Sequence, residues 1–63
     1  MERYEYKGRF FSIYLNRVGK HYNWEYMDDQ MHRHKNNDEL APTQEVALSE
    51  AKDSIHSFVD KRK

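Results

Sequence analysis

Residues 9–27 read RFFSIYLNRVGKHYNWEYM, and the period of that stretch decides the fold class. Phe11, Ile13 and Leu15 alternate with Ser12, Tyr14 and Asn16. Successive side chains of an extended strand point to opposite faces, so this alternation marks a strand buried on one side. Val18-Gly19-Lys20-His21 follows as a turn, and Tyr22, Trp24 and Tyr26 then alternate with Asn23 and Glu25. Aromatic and β-branched residues suit a pleated, half-covered surface. Two such runs joined by a short glycine turn form an antiparallel hairpin; a parallel crossover needs about a dozen residues or more.

Upstream, Tyr4 and Tyr6 alternate with Glu5 and Lys7 until Gly8 interrupts, which adds a strand before the hairpin. Downstream, Asp28 to Glu39 is polar. Asp28-Asp29 suits a turn, Gln30 to His34 is read as a short returning edge strand, and Asn36-Asn37-Asp38 ends the regular structure. Arg33 and Lys35 on such an edge discourage unwanted strand pairing.

From Thr43 the period becomes that of a helix. Thr43 follows Pro42 and suits an N-cap, and Glu45 lies in the first turn, where the helix dipole favours an anion. Ala47, Leu48, Ala51, Ile55, Phe58 and Val59 fall on one stripe, with Glu50, Lys52, Asp53 and Ser57 toward water. Lys61, Arg62 and Lys63 close the chain at the favourable helix end.

A sheet with one aromatic face and a helix with one apolar stripe cover each other in a two-layer arrangement. The expected fold is therefore α+β: a three-stranded antiparallel meander, four-stranded if Gln30 to His34 joins, packed on one C-terminal helix. Residues 1–63 form a single domain. Tyr4, Tyr6, Phe11, Ile13, Leu15, Trp24 and Tyr26 are expected to meet the helix. The other face then presents Glu5, Phe10, Tyr14, Asn16, Glu25 and Met27, with no second helix to cover it. A register shift of one residue would exchange the two sets.

The chain has 63 residues and no cysteine, so neither disulfides nor thiolate metal sites support it. A chain of this size buries only roughly 60% of the surface its unfolded form exposes. Five Tyr, three Phe and one Trp supply an aromatic-rich core instead. Eleven basic and eleven acidic residues balance, which argues against both a dedicated nucleic-acid binder and an acidic DNA mimic. No apolar run approaches the ~18 residues of a membrane span, and no signal-peptide pattern opens the chain. The sequence reads as a natively short cytoplasmic protein without a membrane partner.

His21, His32, His34 and His56 invite a metal reading, since His32 and His34 share a face on a strand. Their spacing matches no zinc pattern, and they read as solvated loop residues, with no metal and no cofactor. Asp28-Asp29 and Asp38-Glu39 are paired carboxylates in turn-rich sequence, and Ser49, Ser54, Ser57 and His56 form no nucleophile motif. No enzyme is expected.

Two binding readings remain. Phe10, Tyr14 and Met27 would form an apolar patch on the uncovered face, fit for a protein partner or a second copy of the chain. Alternatively, Arg3, Lys7, Arg9, Arg17 and Lys20, interleaved with Phe10 and Tyr14, would offer a basic strand surface to nucleic acid. Glu5 and Glu25 on the open face oppose that alternative. The preferred reading is a non-enzymatic accessory or regulatory protein acting by protein–protein contact.

Tyr4-x-Tyr6-x-Gly8, Trp24-x-Tyr26 and Thr43-x-Glu45, ahead of a helix ending Val59-Asp60, carry a resemblance. The chain resembles a group of short bacterial and phage βββα proteins of unknown function. These open with an aromatic-Lys-Gly strand, place a Trp in a middle strand, and start the helix with Thr-x-Glu-Glu-Ala. Here Thr43-Gln44-Glu45-Val46-Ala47 matches that start in part. The resemblance implies a fold, no activity and no functional residues.

Overall fold

Lys7-Gly8 and Gly19-Lys20 turn the first three strands back on one another. The computed structural model describes residues 1–36 and 40–61. Strands β1 (Glu2–Tyr6), β2 (Arg9–Val18), β3 (His21–Met27) and β4 (Arg33–Lys35) precede the helix α1 (Gln44–Asp60). All four strands form one antiparallel sheet in the order β1-β2-β3-β4. Lys7 and Gly8 both have positive φ, 50° and 78°, the conformation of a two-residue type I′ hairpin turn. Gly19, with φ 64°, takes the first position of the second tight turn, where only glycine is comfortable.

The third turn works differently. Asp28 N–H donates to His32 O and Met31 N–H donates to Asp28 O, at 3.0 and 3.1 Å. Met31 takes the left-handed conformation, φ 67°, in the place where a glycine usually closes such a three-residue loop. The returning strand begins at Arg33 rather than Gln30, because residues 28–32 are consumed by this turn. Arg33 and Lys35 are exposed on the sheet edge, and His34 between them turns inward. Ala41 later rejoins the same edge beside Tyr22 through reciprocal 2.8 Å backbone bonds. Asn37, Asp38 and Glu39, and with them the Asp38-Glu39 carboxylate pair, lie outside the described residues, as do Arg62 and Lys63.

Thr43 is the N-cap of α1; its side-chain oxygen accepts the Val46 N–H at 3.1 Å. Removing such a cap costs about 0.5–2 kcal/mol. Ala47, Ala51 and Ile55, one turn apart, are fully buried against the sheet. Phe11, Ile13, Trp24 and Tyr26 are the buried floor beneath them. Tyr4, Tyr6, Leu15, Tyr22, Leu48, Phe58 and Val59 pack around that centre. The register pairs Ile13 with Tyr26 and Leu15 with Trp24, so the expected buried set shares one face. Fully burying a side chain such as Ile13 or Ile55 contributes about 1.5–3 kcal/mol. Small alanines let the helix approach wide rings: Trp24 and Tyr26 stack with centroids 5.9 Å apart and planes 18° apart. Their polar tips are satisfied by α1, the indole N–H by Glu50 and the Tyr26 hydroxyl by Ser54, both at 3.3 Å. Glu50 therefore does not simply face water, and Lys52 lies 5.1 Å over the Tyr4 ring.

Candidate interaction surface

The uncovered face follows from strand parity. Glu5 lies opposite Phe10, Arg3 opposite Ser12, and Ser12 opposite Met27. Tyr14 lies opposite Glu25, and Asn16 opposite Asn23. All belong to the set that points away from α1. Phe10 is 62% exposed and Met1 is 72% exposed, so two large apolar side chains stand in water. Met1, Arg3, Glu5, Phe10, Ser12 and Met27 line an open groove of about 510 Å³ across β1, β2 and β3.

Phe10 and Met27 are therefore brought together in one groove. Tyr14 shares their face but lies beside the groove, diagonal to Met27 across the β2–β3 register. Met1 and Ser12 were not singled out from the sequence. Ser12 shares the parity of Phe10 and Tyr14, and that signal could have found it.

The five bases of the alternative reading do not assemble. Arg3 is on the open face. Lys7, in the first turn, pairs with Asp60 of α1 at 2.7 Å. Arg9 has the parity of Phe11 and points to the helix side, where its guanidinium lies 5.7 Å from the Phe11 ring and 5.4 Å from the Phe58 ring. There it binds Asp29 through Nη2 and Nε at 2.7 and 3.3 Å. Arg17 donates to the Gly19 carbonyl, and Lys20 lies in the second turn. The hydrogen bond to Asp29 raises the Arg9 pKa, and the partners' shifts agree: Arg9 lowers that of Asp29. Lys7 and Asp60 shift each other in the same sense.

The histidines also differ from their expected solvated state. His34 stacks on Tyr26 with centroids 4.6 Å apart and lies 4.6 Å from Phe58. His56 stacks 4.0 Å from Tyr6 and hydrogen-bonds the Tyr4 hydroxyl. Flat rings fill the gap between sheet and helix, which polarity alone does not reveal. Only His32 and His21 are exposed. Asp28 is the one buried charged residue among those described, its side chain wholly excluded from water. Its Oδ1 accepts the N–H groups of Gln30 and His32, each at 2.9 Å, and Oδ2 meets His34 Nε2 at 3.3 Å. Burial pushes the Asp28 carboxyl up, but the His32 N–H, the His34 ring and the Gln30 N–H together hold it below its ordinary value. Asp28 thus ties the third turn, and Asp29 is engaged by Arg9. Among the described residues, no group of three or more His, Asp or Glu side chains is arranged to hold a metal ion.

No protein-family profile matches this chain, and neither a curated protein nor a solved structure matches it. Among the described residues no helix is long and apolar enough to cross a membrane.

Proposed function

We propose that this chain is a small cytoplasmic accessory or regulatory protein that acts by protein–protein contact through its open sheet face. The observation that carries the reading is the exposed Phe10 beside Met1 and Met27 in one groove. Aromatic and methionine side chains are enriched at protein interfaces, and the flexible thioethers adapt to a partner's shape. Arg3 and Glu5 beside the groove carry both signs of charge. The occupant is a polypeptide segment that inserts an apolar side chain and carries flanking charges. The nucleic-acid reading draws no support from the dispersal of its bases, of which Lys7 and Arg9 are held in ion pairs.

The test uses wild type and Phe10→Glu as paired baits, with Lys20→Glu as a control away from the groove. A captured polypeptide is then purified and titrated against each bait. The expected result is a loss of about tenfold or more in affinity for Phe10→Glu alone, as when a central aromatic contact is removed. Equal affinities for the three baits would remove the groove from the interface.

A further inference from the structure

The outer edge of β1 is self-complementary. Hydrogen bonding alternates along each antiparallel strand, so the parity on one edge sets the parity on the next. Tyr22 bonds outward to Ala41 in both directions, and Trp24 O accepts the Asn36 N–H. The even residues of β3 therefore face the β4 side and the odd ones bond β2. Those pair with Ser12, Tyr14, Asn16 and Val18, which leaves Arg9, Phe11 and Ile13 to bond β1 through Tyr6, Tyr4 and Glu2. The tight turn at Lys7-Gly8 requires the same bonded pair, Tyr6 with Arg9. What remains on the free edge is the N–H and C=O of Arg3 and of Glu5.

β1 is the outermost strand, and α1 packs mainly over β3 and β2. Glu2, Arg3 and Glu5 are exposed. The side chains of Arg3 and Glu5 make no hydrogen bond or ion pair among the described residues. A second β1, antiparallel about a two-fold axis at Tyr4, sets Arg3 opposite Glu5 of the other copy, twice. All four free backbone groups on each copy's edge then find partners, and both ion pairs fall on the open face. Sliding the axis to Arg3 would oppose two arginines, and sliding it to Glu5 would oppose two glutamates. Charge therefore selects one register of the three.

We propose that a second copy of this chain adds to the β1 edge in that register, joining the two four-stranded sheets into one. The two grooves then lie side by side across the axis, because Arg3 and Glu5 belong to both seam and groove lining. The seam stands apart from the groove reading: a partner lost at Phe10 does not disturb it. A seam of five-residue strands is short, which places the dimer at the weak end of protein interfaces.

Sedimentation equilibrium up to about 1 mM chain, the range for a small interface, tests this in wild type, Arg3→Glu, Glu5→Arg, the double exchange and Phe10→Glu. The wild-type mass is expected to rise from 7.8 kDa toward twice that value. Each single reversal opposes like charges twice and weakens association by about tenfold; the double exchange restores opposite charges and recovers it. The Arg3 and Glu5 amides gain exchange protection with concentration in step with the mass. A wild-type mass that stays monomeric throughout overturns the proposal. So does a double exchange as weak as the single variants, or a dimer dispersed by Phe10→Glu but not by Arg3→Glu.

Discussion

Met31 stands in the left-handed conformation and is 75% exposed, so no packing holds it there. The Asp28 carboxylate does, by fixing the Gln30 and His32 N–H groups on either side. A side chain in this conformation costs roughly 1–2 kcal/mol that glycine avoids, less the extra backbone entropy glycine loses on folding. Met31→Gly is therefore expected to stabilise the fold by about 0.5–1 kcal/mol, read as a higher urea midpoint at unchanged slope. An unchanged or lower midpoint would mean that the Met31 side chain contributes something its exposure conceals. At this scale the sequence was legible where neighbours decide the outcome. Gly8 and Gly19 mark their turns, and Thr43 marks its cap. The third turn carries no glycine, so its boundary moved and Gln30 fell outside the strand.

Between elements, the decisive contact is α1 on the aromatic floor. Ala47 and Ala51 have no exposed surface and belong to the same buried cluster as Phe11, Trp24 and Tyr26. Ala51→Leu is expected to destabilise by about 1–3 kcal/mol through overpacking, although leucine is nearly as good a helix former as alanine. Thermal unfolding checks it; a midpoint equal to wild type would show that the helix can lift without cost. The stripe was readable from its 3.6-residue period. The stacking of His56 on Tyr6 and of His34 on Tyr26 was not, because those residues lie far apart in the sequence or carry no apolar label.

Across the whole molecule, three aspartates among the described residues tie separate parts of the chain: Asp28 the third turn, Asp29 the start of β2, and Asp60 the first hairpin. Asp28 feels burial most, yet hydrogen bonds leave it below its ordinary value; Arg9 lowers Asp29, and Lys7 lowers Asp60. Each is thus a stronger acid in the folded chain than in the unfolded one. Their stabilisation is fully present above about pH 4, the unfolded aspartate value, and is lost as pH falls through the lower folded values. Melting temperature is expected to hold from pH 7 to about 5 and to fall steeply below about pH 4. Asp28→Asn should be less stable at neutral pH and lose less on acidification. An acid limb as steep in that variant as in wild type would assign the loss to other groups.

By itself the sequence determined the α+β class, the first two turns, the helix and the division of the strands into two faces. These follow from period and turn chemistry, which act between near neighbours, and parity carries a face along a whole strand once one residue is placed. It also put Phe10, Tyr14 and Met27 on the uncovered face, but it read Arg9 as part of a basic surface beside Phe10 and Tyr14, whereas the strand gives it the parity of Phe11. Only the tertiary structure decided which polar groups are enclosed. Asp28 is buried because the third turn folds over it and His34 closes beside it. Arg9 is drawn to the helix side by Asp29 and two aromatic rings. The free edge at Arg3 and Glu5 likewise exists because, among the described residues, no strand lies beyond β1. A polar side chain's state depends on what distant segments bring to it, and no local pattern records that.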